Sequence, residues 1–393
     1  MRIGIDVRYL SHGLVGGVHT YIRQLVPALV QAASGHELLL YADQKAPFEL
    51  VQLPGHVTVR YLPWRHGASS VLNDMLLLRR AMAADMVEVA HFPANYGYGP
   101  RTARTVLTMH DAMTLMPLSH VFQSKGTNWN TRTRAMTVYL YLCSHLALRG
   151  AALVLTVSEH ARSEIARYSR YPVERIVPVY HAPTPDLRRI KDAHVLAEVR
   201  VRHGLGRRPF ILADGLKNPA VLLRAWRRIP PALRGDHTIV FFSRREPLPV
   251  VRQAAEAGEC LLLLNLPRAE LVALFSAASA FVFPSWLEGF GIPILEAMLC
   301  GAPVIASDRG SIPEVAGGAA LICDAEDDGA LAELIVRVLS DPAEAGRLRQ
   351  LGFARAAQFS WRKAADQTLA AYRRALGWPL AQLLAEGYPA ERS

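Results

Sequence analysis

The chain predicts an α/β protein built from two Rossmann-like domains with parallel sheets. Three observations lead there. Short apolar runs alternate with helix-length segments along most of the 393 residues, a pattern that calls for parallel strands joined by crossover helices. The alternation breaks once, near 182–208, where Pro183, Pro185 and Gly206 interrupt it, and then restarts. The length is also comfortable for two hydrophobic cores and long for one.

In chain order the first block predicts strands at Ile3–Val7, Glu37–Tyr41, Thr58–Tyr61, Met86–His91, Thr105–Met109, Leu153–Val157 and Ile176–Val179. The second predicts Phe210–Ala213, Thr238–Phe242, Cys260–Leu264, Phe281–Phe283, Pro303–Ala306 and Ala320–Cys323. Helices fall between them, for example at Val18–Ala33, Ser158–Tyr168 and Arg268–Ala277, and Trp361–Leu376 closes the second block. The expected organisation is a first domain at 1–185, a second at 186–372 and a tail at 373–393. Open parallel sheets bind ligands beyond the carboxyl ends of their strands. Two such domains facing each other would create one central cleft.

Composition narrows the function classes. Cys143, Cys260, Cys300 and Cys323 lack Cys-x-x-Cys spacing, so they read as reduced, mostly buried residues rather than disulfides or a zinc site. The N-terminus enters a strand at once, without a signal-peptide pattern. Apolar runs such as Leu261–Leu264 fall far short of the roughly 20 residues that span a bilayer. The expectation is a cytoplasmic protein. The formal charge is +10, and the first 190 residues carry 20 Lys and Arg against 12 Asp and Glu. A basic first half attracts phosphates, from an anionic membrane at the inner face or a phosphorylated acceptor. No nucleic-acid-binding motif is present, so nucleic acid is not an expected partner. The membrane contacts expected are Arg132, Arg134 and Arg149 around Tyr139-Leu-Tyr141.

The segment Pro284-Ser-Trp-Leu-Glu-Gly-Phe-Gly-Ile-Pro-Ile-Leu-Glu-Ala-Met-Leu-Cys-Gly301 carries the most chemistry. A strand, a Gly-Phe-Gly turn, a helix start with Pro293 in its first turn and a stop at Gly301 aim backbone N–H groups and a helix dipole at one spot. That spot suits a phosphate. Glu288 precedes the helix and Glu296 lies about a turn inside it. A carboxylate beside a phosphate should face a centre that gains positive charge, as an anomeric carbon does, so Glu288 is the candidate catalytic group. Glu296 can accept hydrogen bonds from a ribose diol. In the first half, Gly13-Leu-Val-Gly-Gly17 precedes a helix and can bring backbone close to phosphate, but it is not a dinucleotide Gly-x-Gly-x-x-Gly. Val106-Leu-Thr-Met-His-Asp111 ends a strand with an imidazole, His110, beside a carboxylate. Ser158 lacks a nucleophile elbow, so no Ser-His-Asp triad is expected. No Asp-x-Asp cluster suggests a metal.

Val282–Ser307 followed by Ser311-Ile-Pro-Glu-Val-Ala-Gly317, with Gln358-Phe-Ser-Trp361, resembles the retaining GT-B glycosyltransferases of family four, also called group one. Gly4-Ile-Asp-Val-Arg8 and Gly16-Gly-Val-His-Thr-Tyr21 resemble the opening of its mannosyltransferase-like members. The resemblance implies a GT-B fold whose chain end returns to the first domain. It places Glu288 against the donor sugar near the reacting carbon, Glu296 on the nucleotide ribose, and the amides of Phe290, Gly291 and Ile292 on the diphosphate. Gly16 and Gly17 would border the donor phosphates, and His110 would hydrogen-bond the donor sugar, with Asp111 orienting its ring. Lys217 and Asn218 match the end of a diphosphate-clamping motif, but the loop Asp214-Gly-Leu-Lys-Asn218 looks short and lacks the usual arginine. Arg244 or Arg245, after the next strand, would supply the missing charge.

The implied function is transfer of a hexosyl unit, with retention and without a metal or other cofactor, from a nucleotide diphosphate sugar to a glycan or lipid-linked acceptor. The mannosyltransferase-like opening inclines the donor to GDP-mannose. Other readings are a GT-B-fold epimerase or phosphorylase, or a non-catalytic nucleotide- or carbohydrate-binding subunit suggested by the short Lys217 loop.

Overall fold

The computed structural model describes residues 1–12, 17–45, 53–64, 76–122, 130–185 and 187–378. They form two compact units, one comprising Met1–His181 with the segment from Trp361 onward, the other Ala182–Ser360.

The first unit holds a seven-stranded parallel sheet, made of β1 (Arg2–Asp6), β2 (Glu37–Asp43), β3 (Val57–Leu62), β4 (Val89–Phe92), β5 (Arg104–Met109), β6 (Leu153–Thr156) and β7 (Ile176–Pro178). Their order is β3-β2-β1-β4-β5-β6-β7, so the chain reverses direction across the sheet between β1 and β4. The β4, β5 and β6 strands are buried at nearly every position, because helices cover both faces of a parallel sheet. That double burial is why the strands read as continuous apolar runs. Helix Glu159–Ser169 starts at Ser158, whose hydroxyl accepts the Ala161 N–H at 3.0 Å. Ser158 is therefore a buried helix cap, which fits its exclusion as a nucleophile.

The second unit repeats the plan with six parallel strands: β8 (Phe210–Asp214), β9 (Thr238–Ser243), β10 (Leu261–Leu264), β11 (Ala280–Phe283), β12 (Val304–Ser307) and β13 (Ala320–Cys323). The order is β10-β9-β8-β11-β12-β13. Here the switch point lies between β8 and β11, paired from Ala280 with Ile211 to Val282 with Ala213. The loops after these two neighbouring strands carry Lys217 and Glu288. The core beneath them joins Ile211, Ala213, Ile239, Phe241, Val282 and Ile305 to Trp226 and Leu331 of the covering helices. Cys260 and Cys323 belong to this core, and all four cysteines are buried free thiols.

The division of the chain differs from the expected one at both seams. It falls at His181/Ala182 rather than after residue 185, and the second unit stops at Ser360 rather than 372. Helix Trp361–Ala375, expected to end the second domain, belongs to the first. Its Tyr372 is fully buried there, with the hydroxyl 2.7 Å from His91 Nδ1 on β4. The tail proper lies mostly outside the described residues.

Candidate active site

In the second unit the predicted donor segment folds as a strand, a loop and a helix. Gly291 caps helix Ile292–Cys300 with φ of 95°, a left-handed conformation costly for other residues. Pro293 sits in the first turn and Gly301 ends the helix in the same left-handed region. Among the described residues the Gly291 and Ile292 N–H groups make no hydrogen bond, so the positive end of the helix presents two donors together. The Phe290 ring is buried and meets Phe359 edge-on, centroids 5.8 Å apart. This contact gives Phe359 a packing role against the loop.

The Glu288 loop is sewn down from the strand next door. Ser311 Oγ donates to Glu288 O and Phe290 O at 3.2 and 2.9 Å, and Ser307 Oγ donates to Ser285 O at 2.6 Å. Gly310 has φ of 60°, and a Cβ there would stand 2.5 Å from the Glu288 carbonyl oxygen. Ser285 Oγ donates to Glu288 Oε1 at 3.0 Å, fixing the carboxylate itself. The Ser311-Ile-Pro-Glu run thus backs the Glu288 loop.

Lys217 and Glu288 are brought together: Nζ lies 2.5 Å from Oε1, and the carboxylate side chain is the more buried of the two. The short loop is responsible. Asp214 Oδ1 accepts the Leu216 N–H at 2.9 Å, and Asp214 O accepts the Lys217 N–H at 3.1 Å, so the chain turns tightly off β8. Desolvation raises the Asp214 carboxyl, and the charges acting on it are Lys217, Glu288 and Arg244. Two acids and two bases therefore share the strand ends of β8, β9 and β11. Arg244, exposed, follows β9 and reaches this group electrostatically; Arg245 is exposed as well, its carbonyl accepting from Ser243 Oγ at 2.7 Å. Glu246, their neighbour in sequence, pairs with Arg252 instead. Asn218 has φ of 51° at the start of helix Pro219–Arg228, and its buried Nδ2 donates to Ala325 O at 2.8 Å. Its side chain ties the loop to the chain beyond β13.

Glu296 lies a turn inside the helix and is buried. Its two oxygens receive the guanidinium of Arg268, with Nη2 2.5 Å from Oε1 and Nη1 3.1 Å from Oε2. Arg268 opens helix Arg268–Ala277. Sequence reasoning placed that helix correctly but assigned the arginine no role. A lone arginine 28 residues before its partner leaves no local signal.

In the first unit His110 directly follows β5. Its N–H donates to Asn95 Oδ1 at 2.9 Å, and its ring Nε2 lies 2.9 Å from the carbonyl of Pro93. A carbonyl only accepts, so Nε2 carries the proton and Nδ1 is left as an acceptor. Burial lowers the ring to about 4, so the imidazole is neutral at pH 7. Around it stand Tyr21, edge-on at 4.9 Å, and His181, 5.5 Å away and stacked in turn on Tyr21. A chain of hydroxyls and imidazole lies behind, with His91 Nε2 2.8 Å from Thr108 Oγ1 and Tyr21 Oη 3.2 Å from the same atom. Asp111 does not orient the ring as expected. Its Oδ1 accepts the Met113 N–H at 2.8 Å instead. Gly17 opens helix Gly17–Ala32, exposed and with open space where a Cβ would stand; Gly16 lies outside the described residues.

Two parallel-sheet units, one bearing an anion-ready helix end flanked by a lysine and two glutamates, define a GT-B glycosyltransferase. The family comparisons agree. Residues 214–355 match the family described as Glycosyl transferases group 1, and residues 15–187 match Glycosyltransferase Family 4. The O-antigen chain mannosyltransferase B of Escherichia coli is 34% identical over 294 residues, covering 72% of this chain and 74% of that protein. Among solved structures, sucrose-phosphate synthase from Thermosynechococcus elongatus superposes with a TM-score of 0.70 at 21% identity, covering 96% of this chain and 100% of that one. Anabaena Alr3699/HepE, solved with UDP and glucose, gives 0.67 at 17% identity over 94% and 98% of the two chains. The chain belongs to the group 1 glycosyltransferases and is mannosyltransferase-like. That membership selects the glycosyltransferase among the readings the sequence left open.

Proposed function

We propose that the protein transfers a hexosyl unit, with retention, from a nucleotide diphosphate sugar to a hydroxyl of a glycan or lipid-linked acceptor, and that the donor is GDP-mannose. The observation that carries the reading is the Lys217–Glu288 pair beside the Gly291 and Ile292 amides. A diphosphate seated on those amides draws the lysine to its oxygens. Glu288 is then left facing the anomeric carbon as that carbon gains positive charge. Glu296 accepts from the ribose. The C1–phosphate bond breaks and the bond to the acceptor oxygen forms on the same face, with the acceptor proton passing to the leaving phosphate oxygen. No separate base is then required. His110, neutral and with Nε2–H committed to Pro93, offers Nδ1 to a sugar hydroxyl. Arg244 adds a guanidinium near the phosphates, in place of the missing clamp arginine. The mannose preference draws on the O-antigen mannosyltransferase relative.

A membrane-bound acceptor is favoured by helix Thr131–Gly150, which contains no acidic residue and exposes Arg132, Arg134 and Arg149. Met136, Leu142 and Leu146 are exposed on it at 52%, 54% and 49%. Tyr139 and Tyr141 are half-buried against Tyr96 and His145, so the outward apolar groups are the aliphatic ones rather than the tyrosines. We propose docking of this helix on anionic lipid at the inner membrane face. No helix among the described residues is long and apolar enough to cross a membrane.

The test is donor turnover. Purified protein is incubated with GDP-mannose, UDP-glucose and other nucleotide sugars plus an acceptor panel, nucleoside diphosphate release is followed, and the product anomer is read by NMR. GDP-mannose should support transfer with retained configuration. Glu288→Ala should lower kcat about 100-fold or more while leaving nucleotide affinity nearly unchanged. Unchanged transfer by a folded Glu288→Ala protein refutes the assignment.

A further inference from the structure

Arg268 is absent from every motif of the chain, yet it grips both oxygens of the Glu296 carboxylate. We propose that Arg268, with Thr184, is a positioning residue for nucleotide recognition: it holds Glu296 in one orientation and leaves a single carboxylate lone pair open to a ribose hydroxyl. The proposal rests on the reading of Glu296 as the ribose ligand.

The lone-pair count gives the argument. Each carboxylate oxygen accepts about two hydrogen bonds. Oε1 of Glu296 receives Arg268 Nη2 at 2.5 Å and the Thr184 hydroxyl at 3.4 Å. Oε2 receives only Arg268 Nη1, at 3.1 Å. The Thr184 hydroxyl also accepts a second Nη2 hydrogen at 3.1 Å, so arginine, threonine and carboxylate close a small ring of donors and acceptors. Oε1 is filled and Oε2 has one place left. A guanidinium gripping both oxygens also forbids rotation of the carboxylate plane, which a single ammonium could not do.

Placement favours a ligand-facing role over a tie between helices. The carboxylate side chain is 10% exposed and the Arg268 side chain 34%, so the carboxylate is largely desolvated while the guanidinium keeps access to solvent. Helix Arg268–Ala277 begins at this residue, directly after Pro267, whose φ of −55° fixes the direction of entry. The arginine stem therefore approaches from the β10 side while Glu296 comes from the helix after β11. The ribose would meet a carboxylate already aimed, and the ordering cost of binding falls accordingly.

The test uses the full chain and isothermal titration with GDP, UDP and their 2′,3′-dideoxy forms, together with donor kinetics. Deleting the guanidinium outright would strand a buried carboxylate and could unfold the protein. Arg268→Lys therefore carries the test, with a thermal melt to confirm folding. It should weaken binding of GDP or UDP about 10-fold and leave the dideoxy forms within about twofold, so that discrimination between ribose and dideoxyribose shrinks. The donor KM should rise while kcat changes little. Unchanged ribonucleotide affinity, or equal loss for both sugars, overturns the proposal. Glu296→Gln separates the underlying reading: if it retains wild-type discrimination between the two sugars, Glu296 is not the ribose ligand, whatever Arg268→Lys shows.

Discussion

Moderate acid should weaken the first unit through three histidines that the fold keeps neutral. Burial lowers His91 to about 3, against a small opposing pull from Asp6, lowers His110 to about 4, and holds His181 well below its ordinary value. In the unfolded chain each returns to about 6.5. A depressed folded value means that the contribution to stability is complete above pH 6.5 and is lost as pH falls toward the folded value. Between pH 7 and 5.5 each unfolded imidazole takes up most of a proton that the native one refuses, which costs about 1.2 kcal/mol for His91 and the same for His110, with His181 adding in the same direction. Asp111, raised by desolvation, works in the opposite sense and relieves part of the loss at lower pH. For a unit of this size the change corresponds to a fall in Tm of roughly 10 °C. Circular dichroism melts at pH 7.0, 6.25 and 5.5 would read it. In His181→Phe an aromatic ring still stacks on Tyr21 but cannot take a proton, so the loss across the window should shrink. A first-unit transition independent of pH, or an unaltered pH slope in His181→Phe, would refute the argument.

Arg244→Ala should weaken nucleoside diphosphate binding about 10-fold, and less so at high salt; salt-independent or unchanged affinity in titration would remove it from the phosphate site. Gly310→Ala, whose Cβ meets the Glu288 carbonyl at 2.5 Å, should cost about 1–3 kcal/mol in chemical denaturation and displace the Glu288 loop. Co-sedimentation with vesicles should rise with anionic lipid content, fall with salt, and drop in the double variant Leu142→Gln, Leu146→Gln; equal binding to neutral vesicles would argue against docking by this helix.

Strands were legible because a sheet buried on both faces writes its strands as apolar runs that need no long-range information. Each observed strand begins and ends within about three residues of a predicted one, the widest gap falling at Met86, which the structure puts in a turn with φ of 52° before β4. The Glu288 and Glu296 positions were legible for a similar reason, since one continuous segment sets both. What escaped was nonlocal. Arg268 and Thr184 reach Glu296 from two other segments, and Ser311 and Gly310 support Glu288 from across β12. The amphipathic pattern of Trp361–Ala375 shows that it buries one face but carries no record of which sheet it covers. Adjacency misled at His110-Asp111, where neighbours in sequence turn their side chains to different partners.

Because helix Trp361–Ala375 completes the first unit, the second is an insertion within it, entered after His181 and left at Ser360. During synthesis the residues of Ala182–Ser360 all emerge before the helix that supplies Tyr372 to His91. The second unit can therefore be finished on the ribosome while the first waits with its buried imidazole lacking the phenol. Order of translation and order of maturation are inverted, and a chain cut short at Ser360 would possess a whole second unit and an unsealed first one.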